Sequence, residues 1–164
     1  MIKGIMKLRC KTKHPILEEI KKSLRTIARY YGCNIRFTND SKNEGKWDVY
    51  SRRINVPTFC FRNSQFQTEN IISTFFHEIA HQWNYDNNKF PIYHSKIILK
   101  KNIRALKSTA WRAEVYTDKI GRDLMKIYFP TLKYYPSYGG IEDTPKARKD
   151  FKEWVDSWIG TFEN

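Results

Sequence analysis

Residues 69–83 read Glu69-Asn70-Ile71-Ile72-Ser73-Thr74-Phe75-Phe76-His77-Glu78-Ile79-Ala80-His81-Gln82-Trp83. The apolar side chains Ile71, Ile72, Phe75, Phe76, Ile79 and Trp83 recur at helical spacing, which predicts a helix over this stretch. Thr68 is a candidate N-cap, and Glu69 suits the first turn. His77 and His81 are four positions apart, so they stand one turn apart on one helix face. Two imidazoles placed in this way can reach one zinc ion at roughly 2.0–2.1 Å. Glu78 leaves the helix beside them. From there it can hold a water that the metal makes acidic, take its proton and pass it to a leaving group.

Working outward from this helix, strand signals lie before it and helical signals after it. Pro15 to Tyr31 is predicted helical, with Ile16, Leu17, Ile20, Leu24, Ile27 and Tyr31 in phase and Gly32 as C-cap. Cys33 to Thr38 alternates as a strand, and Asn39 to Lys46 is turn-forming. Trp47 to Val56 is predicted as one further strand, with Tyr50, Arg52, Ile54 and Val56 on one face. Pro57 ends it. Downstream, Asp86-Asn87-Asn88 breaks the chain. A short basic helix is predicted from about His94 to Leu106, and a longer one from Thr109 to Phe129, closed by Pro130. An aromatic loop follows at 134–140. Thr144-Pro145 then opens a last helix with Phe151, Trp154, Val155, Trp158 and Ile159 as its packing stripe. Strands early and helices late predict an α+β fold. The 164 residues suit a single domain, 1–164, with a basic leader at 1–14 and the aromatic loop and C-terminal helix at 130–164.

A catalytic zinc needs a third protein ligand and an open position. One candidate is Glu114, within Glu114-Val115-Tyr116-Thr117-Asp118-Lys119-Ile120-Gly121-Arg122-Asp123-Leu124-Met125. Glu114 and Asp118 are also four apart and can face the His77–His81 helix together. Asp118 would then accept a hydrogen bond from the free ring nitrogen of a zinc histidine, His77 first of all. The other candidate is His94, thirteen residues after His81.

The two candidates resemble different families. His77-Glu78-Ile79-Ala80-His81 followed by a Glu-x-x-x-Asp-x-x-Gly-x-x-x-Met helix resembles the gluzincins among the zincin metallopeptidases. The stretch from His81-Gln82-Trp83 to Tyr93-His94-Ser95-Lys96 is similar to SprT-like metallopeptidases, which place a third histidine shortly after the first two. The resemblance covers about residues 15–129. It implies a minimal zincin-like fold, with an N-terminal helix and small sheet ahead of the His77–His81 helix and further helices behind. If Glu114 is the ligand, the gluzincin resemblance gives His94 the role of transition-state donor, with Tyr93, Tyr116, Tyr135 and Tyr138 as weaker candidates. It also implies that the strand at 49–56 is an edge strand that pairs with an extended peptide substrate.

Composition bounds the rest. Thirty Lys and Arg against seventeen Asp and Glu give a net charge of +13. Such a charge favours DNA or another polyanion as partner, through the basic segments 1–30 and 89–107. A protease of DNA-associated proteins, as the SprT-like resemblance implies, would gain from such contacts. Three dispersed cysteines, Cys10, Cys33 and Cys60, argue against a disulfide framework and against a cysteine-rich zinc finger. No apolar run approaches the roughly 20 residues of a membrane span or forms a signal peptide, so a cytoplasmic setting is expected. The expected function is that of a zinc metalloendopeptidase on a protein or peptide substrate. Zn2+ would be held by His77, His81 and Glu114, with Glu78 as general base. The alternatives are a SprT-like protease with His94 as third ligand, or a basic nucleic-acid-binding module with a vestigial zinc site.

Overall fold

The computed structural model describes residues 17–38, 45–58, 66–91, 100–135 and 144–160. The element order is α1 (Leu17–Tyr30), β1 (Asn34–Thr38), β2 (Lys46–Asp48), β3 (Arg53–Pro57), α2 (Gln67–Asp86), α3 (Lys100–Tyr128) and α4 (Pro145–Gly160). This is an α+β architecture, as expected. The basic leader 1–14, Pro15, the turn residues 39–44, Cys10, Cys60, His94 and loop positions 136–140 lie outside the described residues, as do the side chains of Trp158 and Ile159.

α1 forms because Ile20, Leu24, Ile27 and Ala28 make one buried stripe beside exposed charges. Gly32 closes it at φ 65, and the Cys33 amide donates to the Ala28 carbonyl at 2.8 Å. The sheet has the order β1-β3-β2. β1 runs parallel to β3 with Ile35 opposite Ile54, and β2 runs antiparallel to β3 with Trp47 opposite Ile54.

Trp47 to Val56 is therefore two strands and not one. The chain turns at 49–52, where Arg52 adopts φ 47. The Arg52 side chain compensates for this costly conformation. Its guanidinium donates to both carboxylate oxygens of Asp86, at 3.2 and 2.9 Å, and to the Gly32 carbonyl at 3.0 Å. Tyr50 and Arg52 thus belong to the turn, while Ile54 and Val56 are fully buried. A second correction follows from the strand order: β3 is central, so 49–56 is not an edge strand. The edges of this sheet are β1 and β2.

α2 starts earlier than its capping signal, with Phe66 at the N-cap position and Thr68 already inside the helix. It crosses the centre of the molecule. Ile71, Ile72, Phe75, Phe76 and Ile79 are inaccessible to solvent and join α1, the sheet and the end of α3 in one core. The two predicted helices 94–106 and 109–129 are one continuous helix, α3, over the described range. The Thr109 hydroxyl does not cap a new helix but donates back to the Ala105 carbonyl at 2.9 Å. Thr144 does cap α4, its Oγ1 accepting from the Ala147 amide at 3.1 Å. Phe151 and Val155 of α4 pack on Leu106 and Ala110 of α3 as a separate apolar cluster. Among the described residues no helix is long and apolar enough to cross a membrane.

Candidate metal centre

α2 and α3 lie side by side, and their polar residues meet where they touch. His77 and His81 of α2 and Glu114 of α3 are all buried. His77 Nε2 stands 3.1 Å from His81 Nε2 and 3.1 Å from Glu114 Oε2, and His81 Nε2 is 3.5 Å from Glu114 Oε1. One ligand atom from each of the three residues lies within 4.8 Å of the others, so the cluster could hold one metal ion. Two imidazoles and a carboxylate are also a donor set such an ion accepts. Among the described residues, three ligands converge and no fourth joins them. The sequence-predicted triad is therefore brought together with Glu114, while the place of His94 lies outside the described residues.

Asp118 falls one turn after Glu114 and accepts from His77 Nδ1 at 2.9 Å. A carboxylate can only accept, so Nδ1 carries a proton toward Asp118, and Nε2 is the ring nitrogen that faces Glu114 and His81. Burial works against a charge on the His77 ring, but the hydrogen bonds that it donates to Asp118 and Glu114 outweigh it and hold its pKa well above the ordinary value. The carboxylates that stabilise that proton would equally favour a metal cation in its place.

Glu78 faces Gly45 and Trp47 at the start of β2. Burial pushes its carboxyl up to about 7; the charges of Glu114 and Asp118 push the same way, while the His77 ring and a hydrogen bond from the Trp47 backbone oppose them. Its carboxylate occupies the space beside Gly45, where a Cβ would fall 2.5 Å from Glu78 Oε1 and 2.6 Å from Thr74 Cγ2. Any side chain there would displace Glu78. Gly121 has the same function on the other side of α2. A Cβ on it would meet the Tyr134 hydroxyl at 2.9 Å, the Phe76 carbonyl at 3.0 Å and the His77 amide at 3.2 Å. Its missing side chain lets α3 approach α2 at the level of the first histidine.

Three contributors carry no motif. Trp47 stacks on His81, with ring centroids 5.8 Å apart and planes 10° from parallel, and its Nε1 donates to Gln82 at 3.0 Å. Gly45 makes room for Glu78. The Tyr134 hydroxyl donates to Asp118 Oδ1 at 2.7 Å, which ties the segment after α3 to the site. Its own proton is held well above the usual tyrosine range, by burial first and then by the Asp118 charge. Of the tyrosines considered as transition-state donors, Tyr116 packs edge-on to Phe90 and Tyr135 lies against Phe66. Tyr93 and Tyr138 lie outside the described residues. No known protein family, curated protein or solved structure matches this chain.

Proposed function

We propose that this protein is a zinc-dependent peptidase that hydrolyses peptide bonds of a protein substrate. The observation that carries the reading is the buried cluster of His77, His81 and Glu114, with the buried Glu78 next to His77 in sequence. Zinc, when bound, would act as a Lewis acid on the carbonyl and lower the pKa of a water molecule. His77, His81 and Glu114 would hold it. Asp118 keeps His77 in the tautomer that ligates, and Tyr134 keeps Asp118 in place.

Glu78 is the general base. Its raised proton affinity suits a group that must accept a proton from water near neutral pH and release it again. It removes the water proton as the new C–O bond forms, then delivers that proton to the amide nitrogen as the C–N bond breaks. The products are a carboxylate and an amine.

The test combines metal content and hydrolysis. Zinc per chain is measured by elemental analysis for the wild type, Glu78→Gln, Glu114→Ala and His94→Ala. The expected result is full zinc in Glu78→Gln and His94→Ala and loss in Glu114→Ala. Cleavage of a fluorogenic casein and a mixed peptide library should fall by about 10²–10⁴-fold in Glu78→Gln. Zinc loss in His94→Ala alone would move the third ligand to His94. No zinc in the reconstituted wild type would end the peptidase reading.

A further inference from the structure

Gln82 follows His81 on α2, and both side chains meet the same residue of β2, Trp47. The Gln82 side chain is inaccessible to solvent. A buried amide is costly unless its polar atoms are paired, and both ends of this one are. Its Oε1 accepts from Trp47 Nε1 at 3.0 Å, and its Nε2 donates to Asp86 Oδ1 at 2.9 Å. The two ends cannot be exchanged. An indole N–H only donates and a carboxylate only accepts, so the side chain between them must accept at one end and donate at the other. A glutamine amide meets both demands.

Asp86 is the fixed end of this bridge. It lies one turn after Gln82 on the same face of α2. Arg52 donates to both of its carboxylate oxygens, at 3.2 and 2.9 Å, and to the Gly32 carbonyl at 3.0 Å. The anchor thus ties α2 to the turn before β3 and to the end of α1.

Trp47 is the other end. Its indole lies on the His81 ring with centroids 5.8 Å apart and planes 10° from parallel, the geometry of an offset stack. The hydrogen bond at Nε1 fixes the plane of the indole. Rotation of His81 about its Cβ–Cγ bond would swing Nε2 away from Glu114, and a parallel ring resting on the imidazole opposes that rotation. The backbone of Trp47 also donates to the Glu78 carboxylate, so this residue touches a candidate ligand and the candidate base.

We propose that Gln82 is a positioning residue of the metal centre: it holds the Trp47 indole against His81 and so keeps the imidazole in the orientation that ligates. This role rests on the zinc-peptidase reading and adds to it a residue outside the ligand set.

Zinc affinity of the full-length chain would be measured by competition with a chelator for the wild type, Gln82→Leu, Trp47→Phe and the double variant. Leucine is similar in size to glutamine and removes both hydrogen bonds. Phenylalanine keeps a ring on His81 and removes the Nε1 donor. The expected result is about tenfold weaker binding in each single variant. The double variant should lose no more, because either change removes the same bond. The visible spectrum of the cobalt-loaded protein, which reads ligand geometry, should change alike in all three. A purely structural Gln82 would lower the urea midpoint and leave the affinity and the cobalt spectrum of the folded protein unchanged; that result would overturn the proposal. Losses that add in the double variant would do the same. Trp47→Phe decides by itself if Gln82→Leu does not fold: wild-type affinity in it overturns the proposal. In each of these cases the wild type binds zinc and the peptidase reading stands. A wild type that takes up no zinc overturns both.

Discussion

Asp118 Oδ1 lies 2.9 Å from His77 Nδ1 and, at the same oxygen, 2.7 Å from the Tyr134 hydroxyl. One carboxylate thus orients a candidate ligand histidine and anchors the chain that follows α3. The contact joins two helices 41 positions apart in sequence, so it reports directly on their docking.

Removing that carboxylate should weaken metal binding without removing a ligand. Asp118→Ala is expected to lower zinc affinity about 10–100-fold, measured by competition with a chelator. Tyr134→Phe, which leaves the His77 bond in place, should cost much less. Equal affinities for wild type and Asp118→Ala would exclude the orienting role.

Glu78 makes the metal-free protein sensitive to pH. Its folded pKa is raised from the carboxyl value of 4.5 to about 7. A raised pKa means that the neutral form is favoured by folding. That contribution is full below the unfolded value and is lost as pH rises through about 7. Glu78→Gln should remove this loss. In chelator, urea melts should give similar stabilities at pH 4.5, and Glu78→Gln should be the more stable at pH 8, by about 3 kcal/mol at most. A constant difference across that range would contradict a buried, neutralised Glu78.

Gly121→Ala sets two effects against each other. Alanine in a helix interior gains up to about 1 kcal/mol over glycine. Here its methyl group would press on the Phe76 carbonyl and the His77 amide, backbone groups that cannot rotate away. Overpacking of this kind costs typically about 1–3 kcal/mol, so the variant should be destabilised in denaturant unfolding and should bind zinc less tightly. A more stable variant would mean that α2 and α3 have room to separate.

Cys33 sits at the end of α1 with 2 % of its surface exposed, and burial pushes its thiol up to about 11. The thiolate is the reactive form, so alkylation at pH 7.5 should be slow. Peptide mapping after iodoacetamide should show Cys33 modified only as denaturant opens the core. Rapid labelling in the native protein would place Cys33 at the surface.

The candidate metal centre was legible because helical periodicity converts spacing into geometry. His77, His81, Glu114 and Asp118 each needed only a helix and a facing partner, and both helices are long and regular. The errors have local physical causes. Arg52 at positive φ gives no turn signal, since the residues that favour such turns are glycine and asparagine, and the tie to Asp86 that holds it is remote in sequence. The helix predicted to start at Thr109 is instead continuous with the one before it, and the Thr109 hydroxyl is satisfied on the preceding turn. Tyr134 and Trp47 reach the site from a loop and an edge strand, by contacts that follow no period.

α3 runs unbroken through 29 residues, about 43 Å at the helical rise. Met125 is seated in the main core at one end, Leu106 and Ala110 are clamped by α4 at the other, and Glu114 lies between. Mechanically it is a beam at mid-span, and its alignment depends on both piers. Among the described residues α4 contributes nothing to the His77–His81–Glu114 cluster, yet it packs on one end of the helix that carries Glu114.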